Sequence, residues 1–232
     1  MDKKFVAAVQ SFWDSRETQA AKQVEKGVSD TGGRSSVTGG TQMAALEDLV
    51  VSMLKKQGLP AIDIRTRSKL ELPGYFRPEK MWDLVVVSKG QLVCAIEFKS
   101  MVGPSFGNNY NNRTEEALGN SLDIWTAYRE GLFGTSPRPF LGFFFLLEDC
   151  ERVHRPVRAS EPHFKIDPVF DGASYAKRYE ILCRRLILER HYDGTCLTLA
   201  TNGKKTVVRP QADDLSFERF MKNLMAAGQR FC

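Results

Sequence analysis

Three side chains near the middle of the sequence have the types and spacing of a phosphodiester-cleaving centre. Glu97-Phe98-Lys99 is the only Glu-x-Lys triplet in the chain, and Asp83 precedes the glutamate by 14 positions. The run from Leu92 to Phe98 is otherwise apolar. Charges placed beside a sheet core are costly unless they are paired or bind a cation, so this pair needs a reason. Two carboxylates converging from adjacent strands make a hard, oxygen-rich, anionic site that suits Mg²⁺ and suits neither zinc nor copper. A lysine two residues past the glutamate points the same way. It can steady an attacking hydroxide or neutralise charge building on a phosphorus centre. Glu and Lys two apart also occur on plain solvated strand faces, and that reading stays open on the triplet alone.

Convergence depends on the elements that hold these residues. The β-prone runs 81–87 and 91–100 are separated by Ser88-Lys89-Gly90, which predicts a hairpin with a three-residue loop ending in a left-handed glycine. Asp83 then faces Ala95. Side chains alternate with period two, so Asp83, Glu97 and Lys99 share one face while Trp82, Leu84, Val86, Leu92, Cys94, Ile96 and Phe98 take the other. A two-residue loop would put Asp83 on the wrong face. Beyond the hairpin, a polar asparagine-rich loop is expected at 103–113, then a helix at 114–129 capped by Thr114. Phe140 to Leu147 reads as a strand covered on both faces.

Upstream, Phe5, Val9, Phe12 and Trp13 recur at helical spacing and predict a first helix over 3–26. A glycine-rich segment at 27–40 reads as mobile, and Thr41 as the cap of a second helix that stops at Gly58 and Pro60. Ile62, Ile64 and Thr66 then alternate with polar residues as in a strand. Downstream, 148–172 reads as a long loop, followed by a helix at 175–191, a strand at 195–200 and a closing helix at 216–227. The expected architecture is a single α/β domain over 1–232 with a mixed β-sheet and flanking helices.

Composition narrows the class. The 232 residues are 42% apolar and 26% charged, with a net charge of +5, which permits a sizeable core and an anionic partner without demanding one. The longest apolar stretch, Pro139 to Leu147, is far short of the ~20 residues of a membrane span, so no membrane role is expected. No secretory signal follows the N-terminus, and the cysteines, 5 in number, form no Cys-x-x-Cys pair, so free thiols and a cytoplasmic location are expected.

Asp83 followed across a hairpin by Glu97-Phe98-Lys99 resembles the PD-(D/E)xK nuclease motif. Leu72-Pro73-Gly74-Tyr75-Phe76-Arg77-Pro78 leading to Trp82-Asp83, and Val102-Gly103-Pro104-Ser105-Phe106-Gly107-Asn108-Asn109-Tyr110-Asn111-Asn112-Arg113, are similar to the XhoI-like type II restriction endonucleases. The likeness runs on through Trp125-Thr126-Ala127-Tyr128-Arg129 and covers most of 27–193. It implies the restriction-endonuclease-like core and a Mg²⁺-dependent enzyme that cuts both strands of a palindrome, in this family CTCGAG, leaving 5′ overhangs. Carried over, Asp83 and Glu97 are catalytic metal ligands, the Phe98 backbone carbonyl is a further ligand, and Lys99 is the catalytic lysine. Trp82 stands where the motif usually has proline, which leaves the chemistry intact because that proline ligates nothing. Glu47 lies on the preceding helix, where some nucleases of this fold place an extra carboxylate; the plainer reading is a solvated glutamate beside Asp48.

Double-stranded DNA would be held by Lys and Arg on phosphates and read by Arg, Asn and Gln at base edges. Three clusters qualify: Arg65, Arg67 and Lys69 along one strand face; Asn108, Asn109, Asn111, Asn112 and Arg113 in the loop after the catalytic strand; and Arg152, Arg155 and Arg158 with His154, His163 and Lys165 in the long loop. A palindrome calls for a homodimer, with α-helical faces around Phe5, Phe12 and Trp13, and around Phe217, Phe220 and Met221, as candidate surfaces, although the plainer reading of both faces is core. A restriction enzyme also requires a cognate DNA methyltransferase in its host. Two competing readings are a structure-specific repair or junction nuclease of the same fold, and a DNA-binding protein without catalysis.

Overall fold

The computed structural model describes residues 2–25 and 42–229; the glycine-rich segment at 27–40 and the Thr41 cap lie outside them. In chain order the strands are β1 (Ile64–Arg65), β2 (Glu71–Pro73), β3 (Glu79–Met81), β4 (Leu84–Ser88), β5 (Gln91–Met101), β6 (Phe140–Glu148), β7 (Gly194–Ala200) and β8 (Val208–Pro210). The helices are α1 (Lys3–Glu25), α2 (Ala44–Lys56), α3 (Phe106–Arg129), α4 (Glu151–His154), α5 (Tyr175–Leu188) and α6 (Phe217–Gly228). Six strands form one mixed sheet in the order β1-β4-β5-β6-β7-β8, and β2 pairs with β3 in a separate antiparallel hairpin. This is the expected α/β architecture, a restriction-endonuclease-like fold.

The centre of the sheet is parallel: β5 pairs with β6 and β6 with β7 in that sense. Parallel neighbours need crossover connections, and α3 and α5 supply them. Both crossovers step in the same direction, so a uniform right-handed connection puts both helices on one face of the sheet. Their core holds Val85, Ala95, Phe143, Phe145, Trp125, Tyr179 and Leu182. The other face is covered by α1, α2 and α6, around Phe5, Phe12, Val50, Val86, Ile96, Phe144 and Phe220. Covered on both sides, Phe140 to Leu147 is buried throughout. The aromatic faces of α1 and α6 are spent in that core, where Phe5 stacks on Phe217 at 4.1 Å between ring centroids. They are therefore not the exposed dimer surfaces considered from sequence.

The strand expected over 62–67 shrinks to the two residues of β1. Ile62 is 74% exposed, so the alternation there marks no buried face; a 3-10 turn occupies 61–63 instead. The asparagine-rich segment is the larger correction, because it forms the first turns of α3 and not a loop. Asparagine is a poor helix former, but that local preference is weak beside tertiary packing. Phe106 is planted in the core at 1% exposure, and Ala117, Asn120 and Ile124 continue its stripe along the helix. Thr114 is consequently interior to α3, where its hydroxyl donates to the Tyr110 carbonyl at 2.9 Å. The long loop expected at 148–172 also contains structure, the single turn α4 and a 3-10 turn at 168–170.

Candidate active site

The hairpin decides whether the three side chains meet. Ser88 pairs with Gln91, so the loop is the two residues Lys89-Gly90, and both are left-handed, at φ 50° and 76°. That is the backbone of a type I′ turn, whose twist matches paired strands. By itself this loop would put Asp83 on the wrong face. A β-bulge reverses the outcome: Val87 pairs with Leu92 but Val86 pairs with Cys94, leaving Val93 as the extra residue. One extra residue flips the alternation, and Leu84 then pairs with Ile96. One step further Asp83 lies opposite Glu97, not Ala95, and the Asp83 amide donates to the Ile96 carbonyl at 3.3 Å. Leu92 is correspondingly turned to the core under α3 and α5, and so is Trp82, which lies outside both strands.

Glu97 is buried at 3% exposure on the face of β5 covered by α3 and α5. One oxygen, Oε1, is 2.5 Å from Lys99 Nζ. The other, Oε2, accepts from Lys80 Nζ at 2.6 Å. Asp83 Oδ2 accepts from the Phe98 amide at 2.7 Å. Burial, and then the charge of Glu97, pushes the Asp83 carboxyl up to about 6, while Lys99, the Phe98 amide and Lys80 pull the other way. Burial would also raise Glu97, but the two ammonium groups hold it below the usual carboxylate range. Burial by itself would depress Lys99; the Glu97 charge and hydrogen bond raise it, so it stays an ammonium.

Glu47 is not solvated. It is buried in the first turn of α2, and burial, followed by the charges of Asp83 and Asp48, pushes its carboxyl up to about 8. The structure thus brings it within electrostatic reach of Asp83. Among the described residues, however, no three His, Cys, Asp or Glu side chains gather closely enough to hold a metal ion. A donor set of two carboxylates fits Mg²⁺ well, since that ion keeps several waters and takes only one or two protein carboxylates together with substrate phosphate.

The three basic or polar clusters fare differently. Arg65, Arg67 and Lys69 do not alternate along a strand: Arg65 donates to the Ile62 carbonyl, and Lys69 sits in a left-handed turn at φ 59°. Arg67 is nevertheless close enough to Glu47 to oppose the rise in its pKa. On α3, Asn108, Asn111 and Asn112 are exposed on one stripe, whereas Asn109 and Arg113 are half-buried. Arg113 donates to Glu116 at 2.6 Å, and its charge reaches Lys99. Arg152 and Arg155 on and after α4 line an open cleft of about 700 Å³ with Glu151, Val157 and Tyr175. Arg155 is exposed and paired with Glu151, Arg152 lies 5.8 Å from the Phe106 ring centroid, and Arg158 is exposed. Because β5 and β6 are parallel, the starts of α3 and α4 lie at the same carboxyl edge of the sheet, where α/β folds commonly bind ligands.

Two features escaped the sequence. Lys80 reaches the site from β3, in a strand whose short polar sequence carries no signal. Asp123 of α3 accepts from the Tyr75 and Phe76 amides at 2.8 and 2.9 Å and from Arg77 Nε at 2.7 Å, fixing the turn between β2 and β3 against the helix. A Cβ on Gly74 would meet the Arg77 carbonyl at 2.6 Å, which is why the Pro-Gly turn needs glycine there.

A mixed sheet with Asp, Glu and Lys converging across a hairpin defines the class as restriction-endonuclease-like. The family described as restriction endonuclease XhoI matches residues 22–209, and the chain belongs to it. It is 46% identical over 203 residues to the type II restriction enzyme BstVI of Geobacillus stearothermophilus, covering 84% of this chain and 91% of that one. It is 49% identical over 183 residues to the type II restriction enzyme XhoI of Xanthomonas vasicola, covering 78% and 73%. Against the type II restriction enzyme AbrI of Azospirillum brasilense the identity is 47% over 165 residues, covering 71% and 74%. No solved structure matches the chain.

Proposed function

We propose that this restriction endonuclease hydrolyses both strands of duplex DNA at CTCGAG in a Mg²⁺-dependent reaction that leaves 5′ overhangs. The observation that carries the reading is the meeting of Asp83, Glu97 and Lys99 on one face of a hairpin in a chain of this family. Asp83 and Glu97, with the Phe98 carbonyl, would hold the cation, and Glu47, whose carboxyl is raised in part by the charge of Asp83, is the candidate for an outer carboxylate. A bound Mg²⁺ supplies Lewis-acid polarisation of the phosphodiester and of the attacking water. The chain's own residues do the rest. Glu97 is fixed and ionised by its lysine partners, and Asp83 is oriented by the Phe98 amide. Lys99 places an ammonium where negative charge grows on phosphorus as the water oxygen bonds to it and the bond to the leaving oxygen breaks. Asn108, Asn111, Asn112 and Arg113, with Arg152 and Arg155, supply donors for the duplex at the same sheet edge. One site per chain implies a homodimer across the palindrome's dyad, and a host methyltransferase that protects the site without joining a stable complex.

The test is digestion of a plasmid carrying a single CTCGAG, with Mg²⁺ or EDTA, by wild type and Lys99→Ala. Linear product is expected only from wild type with Mg²⁺; loss of one well-placed electrostatic group costs about a hundredfold or more in rate. Nicks or ladders at unrelated positions would overturn the restriction reading, and an intact plasmid throughout would overturn catalysis.

A further inference from the structure

Lys80 has no place in the Asp, Glu and Lys triad, yet its ammonium is inside the site. It lies 2.6 Å from Glu97 Oε2, donates to the Met81 carbonyl at 2.9 Å, and sits 4.2 Å from the Trp82 ring centroid. Its side chain is 11% exposed, against 22% for Lys99. It is thus held from three sides and comes from a different sheet, whose turn is itself fastened to α3 through Asp123. Lys99 is two residues along the same strand as Glu97 and is the more exposed partner. Each lysine occupies one oxygen of Glu97, so Asp83 and Glu97 are balanced by two ammonium groups before any divalent cation arrives.

We propose that Lys80 is a positioning residue and resident counter-ion of Glu97. It stays on Oε2 and fixes the carboxylate's orientation, so that Oε1, held by the more exposed Lys99, is the oxygen that would be left to hold a cation. A resident ammonium on Glu97 also opposes cation entry, so the free enzyme trades affinity for a preset ligand geometry. The inference rests on the nuclease reading for its rate predictions and not for its binding prediction.

The experiment compares wild type, Lys80→Met and Lys80→Arg in three measurements. Titration calorimetry with Mn²⁺ and the free protein is expected to show binding at least threefold tighter for Lys80→Met, because a competing cation is gone. Single-turnover cleavage with saturating enzyme and Mg²⁺ is expected to fall at least tenfold for Lys80→Met and to recover to within about threefold for Lys80→Arg. DNA affinity in Ca²⁺ is expected to stay within twofold for both. Unchanged or weaker Mn²⁺ binding by Lys80→Met would overturn the counter-ion role. A wild-type cleavage rate, or a rate loss matched by an equal loss of DNA affinity, would overturn positioning and make Lys80 a phosphate contact. If Lys80→Met does not fold, Lys80→Gln takes its place in the same measurements, since it also removes the charge. Absence of cleavage by wild type would sink the nuclease reading alone, leaving the Mn²⁺ comparison to decide Lys80.

Discussion

Asp123 shows how one buried side chain can organise a region remote in sequence. Burial would raise its carboxyl, but the Phe76 and Tyr75 amides, and then Arg77, hold it below the usual carboxylate range. A depressed carboxyl contributes stability that is complete above the unfolded-state value of about 3.9 and is lost as pH falls through the lower folded-state value. Asp123→Asn should therefore cost about 2 kcal/mol at pH 7, from hydrogen bonds to a charged acceptor. The difference in thermal midpoint between wild type and variant should narrow as pH drops below about 4. Thermal melts between pH 3 and 7 check this, and a gap that stayed constant with pH would show that the charge of Asp123 contributes nothing.

At the scale of elements, the meeting of Asp83 and Glu97 depends on Val93 being left out of the pairing. Val93 restores the face that the two-residue Lys89-Gly90 turn would otherwise reverse. Deleting Val93 should keep Asp83 opposite Glu97, because the pairs Val87–Leu92 and Val86–Cys94 then follow one another in a regular ladder, and cleavage should persist to within about tenfold of wild type. Plasmid cleavage and thermal melts check this: a lower melting temperature reflects the lost core side chain of Val93, whereas loss of cleavage in a folded variant would show that the bulge itself shapes the site. The sequence reading reached the right face by assigning a longer loop and no bulge. Turn residues alone could not distinguish the two, since both routes use Gly90 at positive φ and end with Asp83 and Glu97 together.

For the whole molecule, one chain supplies one set of Asp83, Glu97 and Lys99, while a double-strand cut at a palindrome needs two. Light scattering of the protein with duplex should give a particle containing two chains, twice 26.2 kDa plus the DNA. A single chain per duplex would require sequential nicking. The faces around Phe5, Phe12, Phe217 and Phe220 are filled by the core, so a dimer of this chain would use other surface. Among the described residues no helix is long and apolar enough to cross a membrane.

The sequence by itself determined the elements with strong period and the residue types gathered at the candidate site. The fully apolar run of β6, the helical stripes of α1, α5 and α6, and the Glu-x-Lys in an apolar strand are local patterns, legible without a partner. Tertiary structure decided what depends on residues far apart. The asparagines of α3 became helical because Phe106 and Ala117 anchor a buried stripe, and Glu47 became buried because its helix packs against α1 and α6. Lys80 entered the site because a separate hairpin, fastened by Asp123, carries it there. None of these has a signature in its own neighbourhood, because each is fixed by packing free energy shared across the fold and not by local preference.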